Sequence, residues 1–149
     1  MVHDPDFREF IQLLNANRVE YLLVGGYAVV LHGYPRLTGD MDIWVRPSTE
    51  NAERVLATLD DFGVGSLGFK LEDFNTQGKV NQLGVPPLRI DVITAIDGVT
   101  FEVAYGRRNE IEVNGVKISL ISLEDLLTNK KKSGRPKDID DLDNLTEQK

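Results

Sequence analysis

An aspartate stands in the middle of the apolar run Leu88-Arg89-Ile90-Asp91-Val92-Ile93-Thr94. The run reads as a strand, and a carboxylate inside a strand costs free energy unless a cation or hydrogen-bond donors meet it. A second strand, Asp40-Met41-Asp42-Ile43-Trp44-Val45, carries two aspartates at alternate positions, so both leave one face. Acids converging at the ends of adjacent strands suit Mg²⁺, which takes a few carboxylates and keeps waters and phosphates as its other ligands. Two such ions roughly 3.5–4 Å apart would clamp the attacking and leaving oxygens of a phosphoryl displacement.

Upstream lies a second element of the same chemistry. Glu20-Tyr21-Leu22-Leu23-Val24 reads as a buried strand, Gly25-Gly26 ends it, and Tyr27 to Leu31 reads as a short helix closed by Gly33 and Pro35. Backbone N–H groups at such a strand-to-helix turn form an anion site, and glycines let a phosphate approach closely. Alone, Gly-Gly is only a tight turn. Followed by Asp-x-Asp on the next strand and an aspartate inside a later one, it points to a nucleotide.

The remaining pattern predicts an α/β (α+β) chain in which helices flank a mixed sheet. Phe7, Phe10, Ile11 and Leu14 recur as one helix face over about residues 5–17, with Pro5 in the first turn and Asp4 or Asp6 as cap. Pro47-Ser48 opens a helix with Ala52, Val55, Leu56, Leu59 and Phe62 inward. Residues 69–85 predict two weak strands, or a strand and a loop. Phe101 to Tyr105 predicts a helical turn, and Asn114-Gly115 a hairpin within 111–119. Ser122-Leu123-Glu124-Asp125 is a capping box, and a last helix follows Pro136 with Ile139, Leu142 and Leu145 inward. With 149 residues, no repeat and no linker, one domain over 1–149 is expected.

Composition excludes several functions. There is no cysteine, hence no thiol nucleophile, disulfide scaffold or cysteine-ligated metal. The net charge of −7 argues against broad nucleic-acid binding, although five bases gather in residues 130–137. The apolar runs are far shorter than the ~20 residues a membrane span needs, and the sequence from Met1 lacks an export signal. A cytoplasmic location and no membrane partner are therefore expected.

Gly25-Gly26-x-Ala28, His32-Gly33 and Arg36-x-Thr38-x-Asp40-x-Asp42-x-Trp44 together resemble the nucleotidyltransferase superfamily of DNA polymerase beta. More narrowly they resemble its minimal single-domain bacterial and archaeal members, including the AbiEii-type toxins. Ser122 to Leu127, Lys130, Gly134 to Asp138 and Asp141-Leu142 resemble the closing motif of that group. The resemblance spans about residues 20–145 and is thinnest in the middle. It implies the nucleotidyltransferase fold and Mg²⁺- or Mn²⁺-dependent transfer of a nucleoside monophosphate from a nucleoside triphosphate to a hydroxyl. The acceptor class stays open among a protein, an RNA end and a small molecule. The toxin-like branch adds an antitoxin partner. Carried over, Asp40, Asp42 and Asp91 are the metal ligands and catalytic carboxylates, with Asp91 also helping to deprotonate the acceptor. Gly25 and Gly26 hold the triphosphate, with Arg36, Thr38, Lys130, Arg135 and Lys137 as further nucleotide ligands. Gly26 departs from the pattern, since many relatives carry serine there.

Each feature also has a plainer reading. Asp91 can be the partner of Arg89 or Arg36 in an ion pair. Trp44 and Tyr27 read as core rather than base stackers, and His32 as a capping or packing residue. Asp138 and Asp141 read as a solvated face or as partners for Lys and Arg. For the whole chain, the alternative to an enzyme is a partner-binding module that keeps the fold, and a third reading is a metal-dependent hydrolase using the same carboxylates.

Overall fold

The computed structural model describes residues 4–84 and 89–147. Helix α1 (Pro5–Ala16) starts as expected, with Asp4 accepting from the backbone N–H of Asp6 and Phe7, and it buries Phe7, Phe10, Ile11 and Leu14. Strand β1 (Tyr21–Val24) runs directly into α2 (Gly25–Leu31), so the helix begins at the first glycine. After β2 (Asp40–Val45), Ser48 caps α3 (Thr49–Asp61) by accepting from the Asn51 N–H. A short 3₁₀ turn at Gly65–Leu67 leads to α4 (Glu72–Asn75), β3 (Val80–Leu83) and β4 (Arg89–Ile93). Then come α5 (Phe101–Gly106), the hairpin β5 (Asn109–Val113) and β6 (Val116–Leu120), α6 (Leu123–Ser133) and α7 (Pro136–Glu147).

The six strands form one mixed sheet in the order β3-β4-β2-β1-β6-β5. β2 is antiparallel to β1 and parallel to β4, and β6 is parallel to β1. The register pairs Asp42 with Val24 on one side and with Asp91 on the other. The alternation of β2 thus puts Asp40, Asp42 and Trp44 on one face, while Met41, Ile43 and Val45 are wholly buried on the other. Trp44 and Tyr27 are core, and Trp44 meets Phe101 edge-on at 5.1 Å. His32 is the C-cap of α2, with Nε2 2.7 Å from the Ile121 carbonyl. The hairpin turn holds Asn114 and Gly115 at φ 51° and 81°, the left-handed pair that an Asn-Gly turn supplies.

Two expectations change. Residues 69–84 hold one strand, β3, as the reading of a strand and a loop has it, but a helical turn, α4, stands in that loop. Phe74 of α4 is fully buried, and the Asn81 amide donates to the Asp73 carbonyl, tying α4 to β3. In α7, Ile139 is 49% exposed while Asp138 and Asp141 are buried, so the inward face carries charges in place of that isoleucine. Leu88, the first residue of the expected strand, lies outside the described residues. No described helix is long and apolar enough to cross a membrane.

Candidate active site

Gly25 joins the two halves of the site. Its φ of +70° is the left-handed conformation that only glycine adopts freely, which lets β1 turn at once into α2. A β-carbon at Gly25 would lie 3.0 Å from Asp42 Cγ and nearer still to Oδ2. The turn and the carboxylate are therefore in direct contact. At Gly26 a β-carbon would lie 3.0 Å from Thr38 Cβ, nearer still to its hydroxyl, and 3.2 Å from Arg36 Nη2. Thr38 and Arg36 fill the space that a side chain at position 26 would take, so a serine there requires them to shift.

Asp42 is largely buried and has no hydrogen-bond or ion-pair partner among the described residues. Its carboxyl is pushed up to about 6, first by burial, then by the neighbouring charges of Asp91 and Asp40, with Arg89 and Lys130 opposing. Asp91 is 7% exposed; its Oδ2 accepts from Arg89 Nη2 at 3.0 Å, and its Oδ1 is buried with no donor. Arg89 Nη2 also lies 2.8 Å from Asp40 Oδ2. This follows from register: Arg89 pairs with Asp40 across the strands and precedes Asp91 by two on its own strand. The Arg89 partnership considered for Asp91 is thus present, and Arg36 instead pairs with Asp141 at 2.7 Å.

The predicted basic residues are tied to the two inward aspartates of α7. Lys130, 4% exposed, reaches Asp138 Oδ1 and Asp141 Oδ2, each at 3.1 Å. Arg135 Nε donates to Asp138 Oδ2 at 2.7 Å. Burial pushes the Asp138 carboxyl up, but the hydrogen bonds from Arg135 and Lys130 outweigh it and hold it below the usual carboxylate range. Lys137 is exposed, away from this network.

A cleft of about 510 Å³ brings Asp42 and Gly25 together with Lys130 and Arg135. Its other walls are Lys79 and Val80 of the β3 side, Ile93 and Ile96, and Asn129 and Ser133 of α6. Sequence reasoning missed these. Val80, 71% exposed at the mouth, is the apolar surface that its polar-apolar alternation hinted at. Asp40, Asp91, Gly26, Arg36, Thr38 and Lys137 are not among the cleft-lining residues. Among the described residues no three acidic or histidine side chains are already gathered into a closed ligand set. The donor chemistry nonetheless fits a hard divalent cation: oxygen ligands only, one of them a buried carboxylate oxygen without a donor.

Residues 4–149 match the model of the family described as nucleotidyl transferase of unknown function (DUF2204). No curated protein sequence matches the chain. A protein assigned as a nucleotidyltransferase from Thermotoga maritima has a similar structure, with a TM-score of 0.62 at 19% identity over 95% of this chain and 91% of that one. So does the lincosamide antibiotic adenylyltransferase LnuA with lincomycin bound, with a TM-score of 0.59 at 21% identity over 97% of each chain. The mixed six-stranded sheet with its flanking helices is the fold they share with this protein.

Proposed function

The chain belongs to the family of nucleotidyl transferases of unknown function, and from that premise we propose that it moves a nucleoside monophosphate from a nucleoside triphosphate to a hydroxyl acceptor, with Mg²⁺ or Mn²⁺ as cofactor. The observation that carries this reading is Asp42: a largely buried carboxylate without a partner, pressed against Gly25 at the start of a helix and open to the cleft.

Asp40, Asp42 and Asp91 would hold the cation. When bound, it would neutralise charge on the reacting phosphate and its leaving pyrophosphate. The N–H groups of Gly25 and Gly26 would bind triphosphate oxygens at the start of α2. Lys130 and Arg135, on the opposite wall, add positive charge there, while Arg36 and Thr38 buttress Gly26 from behind. Lys137 lies furthest from these groups and would act only at long range. An acceptor oxygen attacks the α-phosphorus in line. The new O–P bond forms as the bond to the bridging oxygen breaks, pyrophosphate departs, and Asp91 draws off the hydroxyl proton. Positioning and charge neutralisation supply most of the rate. LnuA acts on a lincosamide antibiotic, so a small-molecule hydroxyl is the first acceptor class to try, ahead of a protein or an RNA end. The toxin-like resemblance adds an antitoxin to the candidate partners.

The test is thermal unfolding of the wild type and Asp42→Asn with each of the four nucleoside triphosphates, with and without Mg²⁺. A ligand at about 100 times its Kd adds about 2.7 kcal/mol. A Mg²⁺-dependent rise that the variant lacks is expected, followed by transfer of an α-phosphate label to an acceptor. No rise with any triphosphate in the wild type overturns the proposal and favours a partner-binding module.

A further inference from the structure

The three aspartates do not contribute equal numbers of open oxygens. One Arg89 nitrogen, Nη2, stands 2.8 Å from Asp40 Oδ2 and 3.0 Å from Asp91 Oδ2, and so bridges the two carboxylates as a cation would. Among the described residues no donor meets Asp42, and Asp40 and Asp91 each keep Oδ1, that of Asp91 being buried and unpartnered. The oxygens without a donor therefore belong to three carboxylates on adjacent strands, with Asp42 and Asp91 directly in register. The space between Asp40 and Asp91 is already taken by a positive charge.

Resting on the metal-dependent reading above, we propose that Arg89 permanently fills one of the two cation positions of this carboxylate site. The chain itself then takes up a single divalent cation, held by Asp42 with the Oδ1 atoms that Asp40 and Asp91 keep free of Arg89. Arg89 is a positioning residue in this scheme: it fixes Asp40 and Asp91 and supplies the second positive charge. Two features hold it in place. Its strand register opposite Asp40 and its spacing of two from Asp91 put both acids on its own face of the sheet. It donates a charge-assisted hydrogen bond to the buried Asp91, stronger than a neutral one, and forms an ion pair with Asp40. A further divalent ion in the assembled reaction would have to arrive already bound to the triphosphate.

The experiment is a Mn²⁺ titration of the nucleotide-free full chain, with free Mn²⁺ followed by electron paramagnetic resonance. The wild type is expected to bind one Mn²⁺ per chain, Asp42→Asn to lose it, and Arg89→Gln to bind two. Arg89→Lys keeps the charge and is expected to stay at one, and circular dichroism confirms that each variant is folded. Two ions on the wild type overturn the proposal by themselves, whatever the variants do, and leave the metal-dependent reaction standing. One ion on both the wild type and Arg89→Gln overturns it as well. No ion on the wild type or any variant overturns both the proposal and the metal-dependent reading beneath it.

Discussion

Replacing Asp42 with asparagine should make the metal-free protein more stable at neutral and alkaline pH. The carboxyl is raised from 3.8 to about 6 by burial and by Asp91 and Asp40. A raised acid contributes stability that is complete below its unfolded-state value and is lost as pH rises through its folded-state value. The native state therefore carries an unfavourable charge above about pH 6. A shift of about two units corresponds to about 3 kcal/mol. Part of the group faces the cleft, so a gain of about 1–3 kcal/mol is expected, or several degrees in Tm for a chain of this length. The assay is thermal and urea unfolding of wild type and Asp42→Asn in a chelating buffer, at pH values well above and well below that folded-state value. The asparagine variant should be the more stable at high pH, and the gap should close in acid. Added Mg²⁺ should stabilise only the wild type and narrow or reverse the order. A variant that is less stable at high pH, or a gap that ignores acid, refutes the claim that Asp42 is held ionised against its surroundings.

Lys130→Met should destabilise by about 3–5 kcal/mol in urea unfolding, because it strips the ammonium from two buried aspartates. Gly25→Ala should cost at least the roughly 1–2 kcal/mol of a left-handed backbone and also displace the Asp42 carboxylate, which a loss of Mg²⁺-dependent stabilisation would report. Gly26→Ser should weaken triphosphate-dependent stabilisation through its collision with Thr38, and Thr38→Ala in the same chain should restore part of it by clearing that space.

The acidic strands and the glycine turn could be read in advance because each is a local rule: period two in β2, a left-handed requirement at Gly25, an Asn-Gly turn, and side-chain caps at Asp4, Ser48 and Ser122. Long-range pairing could not. Ile139 fits the apolar period of α7, yet Asp138 and Asp141 turn inward because Lys130 on the preceding helix and Arg36, far away in sequence, wait there with charges. A hydrophobic periodicity cannot show that buried ion pairs will outrank it. The helical turn within residues 69–84 is hidden for a similar reason. Their fold depends on Phe74 plugging the core and on the Asn81 amide reaching the Asp73 and Val92 carbonyls, contacts with no local signature. Arg89 was visible as a partner for Asp91, but its bridge to Asp40 depends on the parallel register of β2 and β4.

The order in which ligands enter follows from how charge is shared between the two walls. The ion-pair network behind the helical wall, Arg36, Lys130 and Arg135 with Asp138 and Asp141, carries one net positive charge. The cluster of Asp40, Asp42 and Asp91 with Arg89 at the sheet wall carries two net negative charges, and Lys79 and Asp97, which also line the cleft, cancel each other. A bare triphosphate entering the cleft gains little from the first wall and is repelled by the second. One divalent cation at Asp42 cancels the sheet wall and reverses that balance. Triphosphate without divalent metal should therefore bind at least tenfold more weakly than with Mg²⁺, read by isothermal titration on the wild type. Asp42→Asn removes one of the repelling charges, so it should bind the metal-free triphosphate more tightly than the wild type does, while losing the gain from Mg²⁺. Equal affinity of wild type and variant for metal-free triphosphate would show that the sheet-wall charge does not govern entry, and that the metal acts only after the nucleotide is seated.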